Sequence, residues 1–252
     1  MILKQLNEKT ALPLFYVGPD IEEGPLPSVL YLALSAKESL LTDPFNQPVL
    51  ALRKFPIRVF SVDIPFHGEN FDSKKALAHW AQAFAQGDDI VSHFLLKLEE
   101  TLSHLFSLNA VQNNNLAVMG LSRGGFLVNH LAARMKEITK IVAYAPLTQI
   151  SAGKDFEFLS LCPILESLNL HHLTEHLCTK KQRIYIGNRD TRVGTDACYR
   201  WVRSLAEAAY EKHIRSPHIE LTIRPSLGHQ GHGTSKESFE EGAAWLIKQI
   251  LS

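Results

Sequence analysis

The sequence contains little cysteine and no excess charge of either sign. Its 252 residues include three cysteines, without a Cys-x-x-Cys pair, so we expect neither a disulfide framework nor a thiolate zinc site. Lysine plus arginine number 26, as do aspartate plus glutamate. Because no basic block stands out either, neither nucleic acid nor a membrane is the expected partner. A small-molecule partner fits this composition better.

Long hydrophobic runs are also missing. No run approaches the roughly 18 apolar residues of a membrane span, and the N-terminal segment lacks the features of a secretory signal. The chain is nevertheless 45% hydrophobic, which is enough to build a large buried core. We therefore expect a single globular domain over residues 1–252, located in the cytoplasm.

Short apolar runs predict the strands of a central sheet. They cover residues 12–17, 28–34, 58–63, 115–121, 140–145, 183–187 and 219–224. Several runs are apolar on both alternating faces, as in parallel strands that helices cover on both sides. Because one face of a helix recurs every three or four residues, segments with that apolar spacing predict helices. These segments cover residues 91–106, 126–135, 198–213 and 238–251.

Alternation of strands and helices predicts an α/β protein. We expect a doubly wound, mostly parallel central sheet with helices on both faces. The irregular segment at about 147–181 predicts a short lid-like insert. The last helix is expected to begin near Thr234, because Thr234 and Glu237 have the spacing of a capping box.

A Gly-Leu-Ser-Arg-Gly-Gly segment lies between a predicted strand and a predicted helix. Its Gly120-x-Ser122-x-Gly124 spacing is that of a nucleophile elbow. The glycines leave room for the helix to pack closely, while the start of the helix supplies N–H groups for an oxyanion. Ser122 is therefore the candidate nucleophile. The alternative is a serine that only caps the helix.

A serine hydroxyl becomes nucleophilic beside a base that an acid orients. Asp190 follows the predicted strand 183–187, and Asp196 is a nearby rival. His229 and His232 both follow the last predicted strand. We prefer His229 as the base because His232 lies almost at the expected helix cap, and His232 stays open as the alternative.

These motifs resemble the α/β-hydrolase superfamily over nearly the whole chain. The resemblance is carried by GLSRGG at Ser122, GNRDTRVG at Asp190, PSLGHQGHG near the C-terminus, and DIPFHG at 63–68, which resembles a structural turn. The dienelactone-hydrolase and prolyl-oligopeptidase-related branches are the most similar. The resemblance implies a serine hydrolase that cleaves small carboxylic esters through an acyl-enzyme. Its catalytic residues would be Ser122, Asp190 and His229, with a small acyl substrate and no metal or cofactor.

The segment after the second predicted strand departs from that pattern. Many superfamily members carry a His-Gly dipeptide there, whereas this chain reads YLALSAKE over residues 31–38. A backbone N–H needs no particular side chain, so the N–H of Ser35 or Ala36 is expected to complete an oxyanion hole beside the N–H of Arg123.

Other functions stay open on these residues. Peptide or thioester cleavage and acyl transfer would use the same groups, and a hydrolase-shaped binding protein without chemistry is the contrasting hypothesis. His172, Glu175 and His176 also have the His-x-x-Glu-His spacing of some zinc peptidases. Because no third ligand is evident, an exposed polar helix face is the favoured interpretation.

Overall fold

An eight-stranded sheet organises the computed structural model, which describes residues 1–6, 10–159 and 161–251. Residues 7–9, Ser160 and Ser252, which fall within the predicted domain or insert, lie outside this description. The strands are β1 (Lys4–Gln5), β2 (Phe15–Val17), β3 (Leu26–Leu32), β4 (Arg58–Ser61), β5 (Val111–Leu121), β6 (Ile138–Tyr144), β7 (Lys181–Gly187) and β8 (Ile219–Arg224).

The strand order is β1-β2-β4-β3-β5-β6-β7-β8. Strands β3 to β8 run parallel, and β1 and β2 form an antiparallel edge. Each of the seven predicted runs overlaps a strand, so the mostly parallel sheet is confirmed. The two-residue strand β1 is too short to give a sequence signal.

Helices cover both faces of this sheet. The α-helices of the described residues are α1 (Ala36–Leu41), α2 (Gln47–Leu52), α3 (Ala76–Ala85), α4 (Ile90–Ser107), α5 (Arg123–Arg134), α6 (Pro163–Ser167), α7 (Thr174–Leu177), α8 (Thr195–Glu211) and α9 (Lys236–Leu251). Leu98, Leu127 and Leu205 bring α4, α5 and α8 into one hydrophobic core. Val49 and Leu246 bring α2 and α9 into a second core. The predicted doubly wound architecture is therefore confirmed.

None of these described helices is both long and apolar enough for a membrane span.

The segment predicted as an insert consists of short helices packed against α5. It contains α6, α7 and three short 3₁₀ helices, and its side chains Phe156 and Leu165 are fully buried. The His130 ring on α5 contacts it through Nε2, which donates to the Leu168 carbonyl at 2.8 Å.

The start of α9 determines how much loop follows the last strand. This helix begins at Lys236 with Ser235 as its cap, one residue later than a cap at Thr234 predicts. Ser235 Oγ accepts a hydrogen bond from the Ser238 N–H at 3.1 Å, which satisfies one of the free donors at the helix start. Residues 225–235 therefore lie outside β8 and α9, and they include both candidate histidines. Because β5, β7 and β8 are parallel, the turns that follow them lie at the same edge of the sheet.

Candidate active site

Ser122 occupies a sharp turn between β5 and α5. Its φ of 55° and ψ of −117° are unusual for a residue with a side chain and cost about 1–3 kcal/mol. Two close approaches hold this turn. A Cβ on Gly124 would collide with the carbonyl of Leu32, and one on Gly120 would collide with the carbonyl of Gly124. The steric reason predicted for both glycines is confirmed.

A chain of two short hydrogen bonds connects Ser122 to a histidine and an aspartate. Ser122 Oγ lies 2.8 Å from His232 Nε2, and His232 Nδ1 lies 2.7 Å from Asp190 Oδ2. A carboxylate only accepts, so Nδ1 carries the proton and donates to Asp190. Nε2 is then left as the acceptor for the serine hydroxyl proton. A hydroxyl, an imidazole and a carboxylate connected in this order can act as a nucleophile, a general base and an orienting acid.

Backbone groups fix the Asp190 carboxylate after β7. Its Oδ1 accepts hydrogen bonds from the N–H groups of Arg192 at 3.0 Å and Val193 at 3.1 Å. The side chain has no solvent-accessible surface, so Oδ2 is held in place for the imidazole. Asp196, the rival acid, lies in the first turn of α8 and is exposed. Asp190 is thus the aspartate that the structure brings to Ser122.

The structure corrects the choice between the two histidines. The prediction that His229 contacts Ser122 and Asp190 is wrong, because His232 occupies that position. His229 begins a one-turn 3₁₀ helix, His229–Gly231, and is exposed. His232 follows this turn and lies three residues before the Ser235 cap, so it is outside α9 and its nearness to the helix is no reason for preferring His229.

A cleft of about 500 Å³ opens beside Ser122. This volume is within the range of small-molecule sites. Apolar and polar residues share its wall: Ala33, Leu34, Glu38, Pro44, Phe45, Ser73, Lys74, Leu121, Arg123, Arg192, His232, Gly233, Thr234 and Phe239 line it together with Ser122. These lining residues come from the ends of β3 and β5, from α1, α5 and α9, and from the connecting segments at 44–45, 73–74, 192 and 232–234. None of the described residues of segment 147–181 lines the cleft.

Solved structures share this architecture over nearly the whole chain. The Pyrococcus furiosus esterase Pf2001 superposes with a TM-score of 0.67 at 18% identity and covers 100% of this chain and 93% of its own. A protein named as a dienelactone hydrolase from Klebsiella pneumoniae gives 0.69 at 14% identity, covering 100% and 98%. Est1E from Butyrivibrio proteoclasticus, solved with ferulic acid, gives 0.65 at 14%, covering 96% and 97%. The chain has the α/β-hydrolase fold.

Sequence comparison alone gives no such link. No family model matches the chain, and a comparison with curated proteins finds no match. The α/β-hydrolase fold of this chain is therefore visible through its three-dimensional arrangement, with identities to these structures of 14–18%.

The oxyanion donors expected in this α/β-hydrolase fold are only partly available. Ser35 caps α1, and its N–H donates to Glu38 Oε2 at 3.2 Å. The Ala36 N–H donates to Asp63 Oδ1 at 2.7 Å. Both N–H groups are already bonded to carboxylates, so neither is free to complete the oxyanion hole that the sequence led us to expect at Ser35 or Ala36. The Arg123 N–H, at the first position of α5, has no partner within its helix.

The segment 63–68 forms a turn that supports this region. Asp63 holds the start of α1 through the Ala36 N–H, while His67 Nδ1 donates to the Pro65 carbonyl at 3.0 Å. Burial, with the nearby Arg123 charge, lowers the pKa of His67 to about 4. A neutral, buried imidazole bonded within its own turn agrees with the structural role predicted for this motif.

The His-x-x-Glu-His segment does not form one helix. His172 lies in the 3₁₀ helix Leu170–Leu173, whereas Glu175 and His176 lie in α7. His172 Nε2 lies 3.5 Å from Glu166 Oε1. No group of three metal-ligating side chains comes together among the residues that the structure describes.

Two side chains of the cleft wall were not predicted from the sequence. The Arg123 side chain, considered there only for its backbone, is itself part of the wall, as is Arg192. Arg123 directly follows Ser122 and Arg192 lies two residues after Asp190, so their proximity to the candidate site could have been inferred from these spacings.

Proposed function

We propose that this chain is a serine hydrolase that cleaves small carboxylic esters through an acyl-enzyme. The observation that carries the proposal is the continuous hydrogen-bond chain from Ser122 through His232 to Asp190. Both distances fall within the range in which a proton is transferred between heavy atoms. Ser122 lies at one end of these hydrogen bonds and lines a cleft large enough for a small ester.

The reaction follows from the tautomer that Asp190 selects. Ser122 Oγ attacks the ester carbonyl carbon while His232 Nε2 takes the hydroxyl proton. The imidazolium then gives that proton to the leaving alcohol as the carbon–oxygen bond breaks, which produces the acyl-enzyme. Water attacks next, with His232 again accepting a proton, and the acid product leaves as Ser122 is reprotonated.

The oxyanion would be held by backbone N–H groups at the carboxyl ends of β3 and β5. The Arg123 N–H is one donor. For the second we propose the Leu34 N–H, because Leu34 lines the cleft. Its present acceptor, Ser39 Oγ, is 3.2 Å away and is shared with the Ala33 N–H. This acceptor is a neutral hydroxyl shared by two N–H groups, whereas the N–H groups of Ser35 and Ala36 bond to carboxylates. Hydrogen bonds to charged groups are stronger, so the Leu34 N–H is the easiest of the three to turn toward substrate.

The preference for esters is supported by the wall of the cleft and by the solved structures. Leu34, Phe45, Leu121 and Phe239 offer an apolar surface for a short acyl chain. Pf2001 is named an esterase, and Est1E was solved with ferulic acid. No specific feature of the cleft favours a peptide or a thioester over an ester.

A substrate panel tests this function. We expect the wild-type protein to hydrolyse p-nitrophenyl esters of short acids and to leave aminoacyl p-nitroanilides essentially uncleaved. Ser122→Ala should remove the ester activity while its circular dichroism stays native. Peptide cleavage above ester cleavage would redirect the proposal to a peptidase.

Complete inactivity would favour the alternative of a binding protein. A folded wild-type protein that hydrolyses none of these substrates and whose Ser122 never reacts with a fluorophosphonate would have the fold without the chemistry.

A further inference from the structure

The Arg123 side chain is a buried cation with few partners. It is 8% exposed and lines the cleft beside Ser122. Its Nη2 reaches the Ser73 carbonyl at 3.5 Å, while its Nε is buried without a hydrogen-bond partner. None of the ion pairs within 4.0 Å among the described residues includes Arg123. Burying a charge with so few hydrogen-bond or ion-pair partners costs folding free energy unless another group compensates the charge.

A second buried arginine shows what a structural role looks like in this chain. Arg58 is fully buried, and its guanidinium donates to the carbonyls of Pro19 at 3.1 Å and of Gly24 and Ala110 at 2.7 Å. These oxygens satisfy its donors without a carboxylate. Arg123 has no comparable set, so its burial is not explained by a role in holding the fold.

Other cations line the cleft together with Arg123. Arg192 and Lys74 line the same cleft, and both are exposed. Burial and then the Arg192 charge lower the pKa of Arg123 to about 10, so it stays protonated at neutral pH. The part of the cleft wall formed by Arg123, Arg192 and Lys74 is therefore positively charged toward a bound ligand.

The nearby carboxylates are engaged or distant. Glu38 is the acidic residue of the cleft wall, and it accepts hydrogen bonds from the N–H and the hydroxyl of Ser35, at 3.2 and 2.6 Å. Asp155 also favours the charged form of Arg123, but it is exposed and forms no ion pair with Arg123 within 4.0 Å. Neither provides the bidentate partner that a guanidinium prefers.

We propose that Arg123, assisted by Arg192, binds a carboxylate of the substrate, so that the preferred esters carry an anionic group near the scissile bond. This inference rests on the proposed function and adds the substrate class. A carboxylate supplies two acceptor oxygens for the fork of the guanidinium and compensates the buried charge. Because Arg123 and Ser122 line the same cleft, one small substrate could reach both groups with its carboxylate and its scissile carbonyl.

The test compares esters that differ in one charge. The mono-4-nitrophenyl esters of adipic and pimelic acid carry a terminal carboxylate, and 4-nitrophenyl hexanoate and heptanoate are neutral esters of the same chain lengths. For each pair the measurement is the ratio of kcat/KM, anionic over neutral, after subtraction of spontaneous hydrolysis. We expect this ratio to exceed about ten for the wild-type protein, which corresponds to one charge-assisted hydrogen-bonded pair.

Three variants locate the effect. Arg123→Gln should lower the ratio about tenfold, and Arg123→Lys should restore part of it because the charge returns without the fork. Arg192→Gln should lower the ratio several-fold, and because this residue is exposed the variant keeps the test valid if Arg123→Gln fails to fold. Arg203→Gln is the matched control. Its exposed side chain pairs with Glu207 on α8, and the ratio should not change.

The outcomes separate this inference from the proposed function. A wild-type ratio near one, unchanged in the arginine variants, would overturn the anionic substrate while ester hydrolysis and Ser122 acylation stand. A high ratio that survives both glutamine substitutions would also overturn it, because the preference would then arise elsewhere. Absence of hydrolysis with every ester, together with an unreactive Ser122, would overturn both.

Discussion

Substituting the two histidines of the last loop separately is the sharpest test of the structural assignment. His232→Ala removes the acceptor 2.8 Å from Ser122 Oγ and the donor 2.7 Å from Asp190 Oδ2. Loss of a triad base lowers kcat by about 10⁴- to 10⁶-fold, which equals roughly 5–8 kcal/mol of transition-state stabilisation at 1.36 kcal/mol per factor of ten. His229→Ala changes an exposed ring outside this hydrogen-bond chain, so we expect less than about a twofold change.

The same substitution also has a defined effect on stability. Without His232, Asp190 keeps the two N–H donors on Oδ1 but loses the imidazole on Oδ2, in a site with no solvent-accessible side-chain surface. Leaving a buried acceptor unpaired costs about 1–3 kcal/mol, or a few degrees in Tm for a chain of this size.

Initial rates on p-nitrophenyl butyrate, with thermal melts read by circular dichroism, measure both quantities. A His229→Ala variant that is inactive beside an active His232→Ala variant would refute the assignment.

Three further predictions follow from the same structure. Asp190→Asn should lower kcat by about 10²- to 10⁴-fold because the imidazole loses the acceptor that selects its tautomer, whereas the matched change Asp196→Asn, at an exposed position, should leave ester turnover unchanged. Gly124→Ala should lower the free energy of unfolding by about 1–3 kcal/mol in a urea titration, because its Cβ meets the Leu32 carbonyl; unaltered stability would contradict that close approach. Burial lowers the pKa of His130 to about 4, below the unfolded value near 6.5, so the unfolded state binds more protons between these values. The free energy of unfolding should be fully maintained above pH 6.5 and fall by up to about 3 kcal/mol toward pH 4. His130→Gln should flatten that dependence in urea titrations from pH 7 to 4.5, and an unchanged slope would contradict it.

The sheet and the turn at Ser122 could be predicted because their signals are local. Strands such as β6 and β7 are short apolar runs between helical segments, and their parallel pairing follows from the alternation. The elbow at Ser122 is also encoded locally, since Gly120 and Gly124 meet a steric demand that arises within a few residues. Helices α1 and α2, of six residues each, are too short to show a clear periodicity.

The base could not be selected from the sequence because the choice depends on where a helix begins. A capping pattern at Thr234 suggested an earlier start, whereas Ser235 caps α9. His232 lies three residues before this cap, which is far enough for its side chain to reach Ser122 and Asp190. Helix ends are set by competing hydrogen bonds of similar strength, so neighbouring hydroxyls such as these two are hard to rank from sequence.

Long-range hydrogen bonds account for the rest of the differences. The Ala36 N–H donates to Asp63, which lies 27 positions further along the chain. No local sequence pattern around Ala36 indicates that partner. The lack of an ion-pair partner for the Arg123 side chain among the described residues is likewise a property of the folded surroundings, because it depends on which carboxylates fail to reach it.

Covalent labelling of Ser122 tests the central claim most directly. The wild-type protein is treated with a fluorophosphonate, and peptide mass spectrometry locates the adduct. The account predicts a single stoichiometric adduct on Ser122 that forms at a normal rate in His229→Ala, is strongly slowed in His232→Ala and is absent in Ser122→Ala. A folded protein that never forms the adduct, or an adduct on another residue that persists in Ser122→Ala, would contradict it.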